Sequence, residues 1–182
     1  MKLNAPNSLT ILRILSIPVL VVILLTDFRG REVAGFAVFL FASLTDMVDG
    51  IWARRKQMIT VFGQLLDPTA DKLLIVSALI CFVERGIVPG WMAVIIVGRE
   101  IAVTGFRAIA ASQGHTIPAL PLGKIKMTLE TVTICILILG PGILGKLYLL
   151  SRWGLWLIII AAVASAAEYY IRFGPRVLSS DT

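Results

Sequence analysis

Long runs of Leu, Ile, Val and Ala, broken at intervals by Gly, Pro and clusters of charge, extend through almost the whole chain. Each run is near the length that crosses a bilayer as a helix, and the pattern predicts six spans, at about 8–26, 32–55, 62–84, 89–112, 123–141 and 147–172. Backbone polar groups in hydrocarbon must be satisfied within their own segment, which selects helices over open strands. The expected architecture is an all-α integral membrane protein, a bundle of six transmembrane helices forming a single domain over residues 1–182. No linker, low-complexity tract or soluble domain is expected. Residues 1–25 begin with Lys2 and an apolar stretch, as a secretory signal does. No small-x-small cleavage pattern follows that stretch, so it reads as the first span.

Composition supports a membrane setting: 58% of the 182 residues are hydrophobic and 15% charged. The net charge of +6 would suggest nucleic acid in a soluble protein. Here the basic residues fall at span ends, where anionic lipid headgroups are the expected neighbours, so no nucleic-acid partner is expected. Lys2, Arg54, Arg55, Lys56, Arg107, Lys124, Lys126, Arg172 and Arg176 share one side under the six-span reading, against Arg29, Arg31, Arg85, Lys146 and Arg152 on the other. The positive-inside rule then favours cytoplasmic termini and a cytoplasmic connection between spans two and three, and the expected location is the inner (cytoplasmic) membrane. Cys81 and Cys135 lie in different apolar spans without metal-site spacing and read as small buried residues. His115, in the segment 113–122, reads as a solvated loop residue.

Four aspartates stand out against this background. Asp46, Asp49, Asp67 and Asp71 occur in the frame D-x2-D-G-x2-A-R-x8-G-x3-D-x3-D. Each Asp at the centre of a membrane helix costs roughly 2.5–3.5 kcal/mol on insertion scales, so four facing lipid would cost on the order of 10 kcal/mol. They are expected to share a polar cavity instead. Asp46, Asp49, Gly50 and Ala53 fall on one face of span two, and Gly63, Asp67 and Asp71 on one face of span three. The short segment from Arg54 to Thr60 makes these spans antiparallel neighbours, so two acidic faces can meet.

Carboxylates that close repel unless a cation neutralises them. Oxygen-only ligands without His or Cys point to a hard divalent ion, Mg2+ or Mn2+, and four carboxylates can seat two. Such a pair is suited to gripping a pyrophosphate. Gly50, Ala53 and Gly63 leave room for a ligand near the backbone, and Arg54 offers a planar phosphate donor. Small residues of this kind also serve helix packing, but packing does not explain the acids. The residues alone do not distinguish Asp67 from Asp71 as a proton acceptor.

Residues 46–71 resemble the signature of the CDP-alcohol phosphotransferase family at every fixed position. The resemblance implies a six-helix, homodimeric membrane enzyme whose dimetal site at the cytoplasmic face holds the diphosphate of a CDP-linked substrate, while an alcohol attacks phosphorus and CMP leaves. It implies that Asp46, Asp49, Asp67 and Asp71 are metal ligands, with Asp71 also the general base. It further implies that Gly50, Arg54 and Thr60 line the nucleotide and diphosphate site.

In span one, Asn7, Thr10 and Arg13 are three residues apart on one face, similar to the family's first helix, which helps enclose the nucleotide. Asn7 as an N-cap and Arg13 as a snorkelling residue are the structural alternatives. Arg99 and Glu100 lie within span four, and an ion pair of Arg99 with Glu100 or with Glu130 is one reading of them. Arg107, Lys124 and Lys126 are cations suited to an anionic acceptor, though topology alone also puts cations at helix ends. The combination P-N-x-L-T-x-x-R, L-D-P-x-A-D-K, R-E-x-x-x-x-x-x-R and G-K-x-K-x-T is similar, within the family, to members that join CDP-diacylglycerol to sn-glycerol 3-phosphate. Other acceptors, among them phosphatidylglycerol, inositol phosphate and serine, are the alternatives. A divalent-cation transporter would continue its polar residues through the bilayer and repeat a half, and neither pattern occurs.

Overall fold

The structure, a computed structural model, describes the backbone of residues 5–56, 61–113, 117–118 and 121–178. Side chains are described for 11–45, 69–70, 72–113, 117–118 and 122–174. Among the described residues it is all-helical. The order is α1 (Ala5–Leu25), α2 (Arg31–Lys56), α3 (Val61–Glu84), α4 (Gly90–Ser112), α5 (Pro121–Leu144), a 3-10 turn (Gly145–Tyr148) and α6 (Leu149–Leu178). The helices follow the apolar runs, and most ends agree to within three residues. The larger difference is at the end of α6, which continues through Glu168, Arg172 and Arg176 to Leu178. Those polar residues lower the hydropathy that set the expected boundary, yet helical spacing still pairs Arg172 with Glu168 across one turn, at 3.8 Å. His115 lies outside the described residues.

The breaks between helices have local causes. At the end of α3, Gly86 takes φ 67°. Its amide donates to the Val83 carbonyl at 2.9 Å and the Ile87 amide to the Phe82 carbonyl at 2.8 Å. This is the glycine-dependent cap that satisfies the last carbonyls of a helix, and Pro89 three residues on prevents its continuation. Within α5, Gly140 has φ 67° and ψ 175°, outside helical geometry, and Pro141 follows it, so the helical path kinks there.

Two compact units make up the chain: Met1–Val88 with Ile134–Tyr148, and Pro89–Thr133 with Leu149–Thr182. In the first, α1 packs against both α2 and α3, and α2 against α3. Leu20 and Leu24 of α1, Phe39 and Ala42 of α2, Leu74, Ala78 and Phe82 of α3, and Leu137 and Ile138 of α5 are buried there. Gly35 permits the close approach of α2, since a Cβ there would stand 3.2 Å from side-chain atoms of both Leu24 and Ile138. In the second unit α4 packs against α6. Val103, Ala110, Ile117 and Tyr169 form a buried cluster, and the Trp91 and Trp156 rings lie 5.7 Å apart.

The outward faces are apolar too. Leu15, Val22, Ile80, Val94, Ile101, Ile160 and Ile171 are each more than half exposed. Exposed apolar surface on this scale marks contact with lipid or protein. Among the described residues one helical stretch, 122–174, is long and apolar enough to cross a membrane, and 11–25 forms a shorter apolar helix.

Candidate active site

The motif aspartates occupy two helices of the first unit. Asp46 and Asp49 lie on α2, Asp67 and Asp71 on α3. Spacings of three and four residues put each pair on one helical face. The side chains of Asp46, Asp49, Asp67 and Asp71 lie outside the described residues, as do those of Asn7, Thr10, Gly50, Ala53, Arg54 and Gly63, and Thr60 entirely. What the structure contributes is the helical placement of both acidic stretches on packed neighbours. An all-carboxylate donor set on two such helices fits a hard divalent ion, and the chemistry of these residues is compatible with Mg2+ or Mn2+. Among the described residues no group of three or more His, Cys, Asp or Glu is placed to hold a metal ion.

Arg13 of α1 is buried, with 1% of its surface exposed. Its Nε donates to the Ala42 carbonyl of α2 at 3.1 Å, and the Thr45 hydroxyl donates to the same oxygen at 2.8 Å. A snorkelling arginine would carry its charge out to the headgroups, whereas this guanidinium is directed to the backbone of a neighbouring helix. Thr45 was not among the residues singled out from sequence. Its one signal there is adjacency to Asp46.

The second unit holds a connected set of charges. Arg99 donates to Glu100 Oε1 at 2.7 Å and to the Ser165 hydroxyl of α6 at 2.7 Å. Lys126 of α5 donates to Glu100 Oε1 and pairs with Glu130 Oε1 at 2.7 Å. Two cations and two carboxylates thus balance one another across α4 and α5. Of the two pairings open to Arg99, the structure has Glu100, and Glu130 is taken by Lys126 one turn away. Ser165 escaped sequence reasoning because a lone serine in an apolar run resembles packing. The i, i+4 spacing of Lys126 and Glu130 was the overlooked signal.

The three cations proposed for an anionic acceptor differ in setting. Arg107 and Lys124 are exposed, and Arg107 donates to the Ile117 carbonyl at 3.2 Å. Lys126 is 2% exposed. The thiols differ similarly: Cys81 is buried as expected, Cys135 only partly, and both are free.

Between α1 and α2, Asp27 accepts from Arg85 at 2.8 Å and also pairs with Arg31. Arg85 donates a second time, to the Leu24 carbonyl, at 3.0 Å. The hydrogen bond and charge of Arg85, with the charge of Arg31, hold the Asp27 carboxyl below the usual carboxylate range.

Comparison with known sequences decides the family. The CDP-alcohol phosphatidyltransferase profile matches residues 3–166. The chain belongs to the CDP-alcohol phosphatidyltransferase family. A relative from Bacillus subtilis (strain 168), named CDP-diacylglycerol–glycerol-3-phosphate 3-phosphatidyltransferase, is 38% identical over 181 residues, covering 92% of this chain and 93% of the relative. One of the same name from Rickettsia felis is 34% identical, again over 92% and 93%. A Mycobacterium tuberculosis protein named probable phosphatidylglycerophosphate synthase is 36% identical over 93% of this chain and 81% of its own. CDP-alcohol phosphatidyltransferases are membrane-associated and generally depend on a divalent metal. The matched span contains the whole aspartate motif of α2 and α3.

Proposed function

We propose that this enzyme transfers the phosphatidyl group of CDP-diacylglycerol to sn-glycerol 3-phosphate, giving phosphatidylglycerophosphate and CMP. The observation that carries this reading is near full-length similarity to relatives bearing that activity in their names, over a span that includes the complete aspartate motif.

In this reading Asp46, Asp49, Asp67 and Asp71 hold two divalent ions, Mg2+ or Mn2+. When bound, these neutralise the diphosphate and stabilise its displacement. Asn7, Thr10, Gly50, Ala53, Arg54, Thr60 and Gly63 accommodate the CDP moiety: the small residues leave space, and Arg54 offers a two-pronged phosphate contact. Asp71 takes the proton of the acceptor hydroxyl as its oxygen bonds to the phosphatidyl phosphorus. The bond from that phosphorus to the bridging oxygen breaks, and CMP leaves with that oxygen. Phosphoryl transfer of this kind depends mainly on positioning and charge neutralisation, with a base for the nucleophile's proton. Arg107 and Lys124, both exposed, attract the acceptor's own phosphate, whereas Lys126, expected from the sequence to join them, is buried between Glu100 and Glu130.

The enzyme is proposed to span the inner membrane six times as a homodimer, termini and active site on the cytoplasmic side. The apolar outer faces of α1 to α6 and the distribution of Lys and Arg support this placement. Purified protein supplied with Mg2+, CDP-diacylglycerol and single acceptors tests the reaction. CMP release is expected with glycerol 3-phosphate. Release only with phosphatidylglycerol, inositol phosphate or serine would replace the acceptor while leaving the family unchanged.

A further inference from the structure

We infer that Arg13 is a positioning residue for the aspartate site: it fixes, through the Ala42 carbonyl, the turn of α2 that carries Asp46. The inference rests on the metal reading proposed above and assigns a role to a side chain on a third helix.

A buried arginine in an apolar chain is costly, and an intramembrane charge marks a functional position by default. Arg13 donates through Nε to a backbone oxygen 29 residues away, linking α1 to α2. In an α-helix the carbonyl of residue 42 is the acceptor for the amide of residue 46. The Thr45 hydroxyl donates to this oxygen as well, so two side-chain donors meet at the acceptor that helical geometry assigns to the Asp46 amide. A carbonyl has two lone pairs, so the three compete, and threonine bonding back to its own helix loosens and bends the turn. Arg13 anchors that turn from outside the helix.

Packing on the same face limits how α2 can move in response. Ala42 and Phe39 are wholly buried, and Gly35 is in close contact with Leu24 of α1. The height of the 42–46 turn is therefore set against α1. Carboxylate ligands must be held close to their productive geometry by neighbouring residues, and loss of such support typically weakens metal binding.

Mn2+ binding to the full-length protein in detergent, measured by loss of the free-ion EPR signal, tests this without substrate or turnover. Thermal unfolding in the absence of divalent ions is measured alongside. Arg13→Met is expected to raise the half-saturating Mn2+ concentration about tenfold or more. Arg13→Lys should restore part of that loss. Thr45→Val, which removes one of the competing donors and no charge, should change Mn2+ affinity by less than Arg13→Met does. A folded Arg13→Met protein with wild-type Mn2+ affinity overturns the inference, including when its metal-free unfolding temperature is lowered, which would make Arg13 a packing residue. If Arg13→Met does not fold, Arg13→Gln takes its place under the same criterion: a folded Arg13→Gln protein with wild-type Mn2+ affinity overturns the inference. Wild-type protein that takes up no Mn2+ would instead overturn the metal reading itself, a failure visible before any variant is made.

Discussion

Gly154 of α6 lies against Thr133 of α5 so closely that a Cβ on the glycine would stand 3.2 Å from the threonine Cβ and 3.0 Å from its Cγ2, and nearer still to its hydroxyl oxygen. Membrane helices that meet through small residues gain packing from this approach of their backbones. Gly154→Ala is expected to destabilise the protein by about 1–3 kcal/mol, as overpacking does. Thermal unfolding in detergent measures the loss, and adding Thr133→Ala, which removes the two nearest atoms, should recover most of it.

Gly140 makes a different demand. Its φ of 67° and ψ of 175° belong to a region essentially restricted to glycine, while a Cβ there would meet only Glu32 Cγ at 4.0 Å. Gly140→Ala therefore introduces backbone strain without a clash, at a cost of about 1–3 kcal/mol. The same unfolding measurement checks it. No second substitution of a neighbour should rescue this variant, in contrast to Gly154→Ala.

Lys126 sits between the carboxylates of Glu100 and Glu130. Removing one partner of a buried ionic set leaves charge uncompensated, and Lys126→Met is expected to cost about 3–5 kcal/mol. Lys126→Met combined with Glu130→Gln leaves Arg99 and Glu100 balanced and should unfold at a clearly higher temperature than Lys126→Met alone. A double variant no more stable than the single one would show that charge balance is not what Lys126 supplies.

Asp27 gives a pH signature. Because its carboxyl is held below the usual range in the folded protein, the stability it contributes is present above the unfolded-state value and lost as pH falls through the folded one, from about pH 4 downward. Asp27→Asn should remove this acid limb from a plot of unfolding temperature against pH. The exposed position and salt screening keep the effect small, and high salt should reduce it further.

Asp71→Asn tests the proton acceptor. A neutral amide cannot take the hydroxyl proton, so turnover should fall to background while the protein still folds and binds metal. CMP release and Mn2+ titration on the same preparation separate these outcomes. Retained turnover would exclude Asp71 as the base.

The helices were legible because apolar runs near membrane length have few other outcomes, and α1 to α6 follow them closely. The aspartate motif stood out for the converse reason, acids being costly in such a chain, and the family match contains it whole. Both conclusions depend on local sequence alone, through hydropathy and helical period. Partner choice was not legible. Whether Arg99 pairs with Glu100 or Glu130, whether Lys126 stands free or buried, and what the Arg13 guanidinium reaches are settled by which helix faces meet. The Arg13–Ala42 contact joins positions 29 residues apart, and its acceptor is a backbone oxygen, which no side-chain pattern reports. The sequence by itself determined the helical elements and the family. Tertiary structure alone decided which cations are spent on carboxylates or backbone and which remain exposed, because that depends on distances between helices rather than spacing along one.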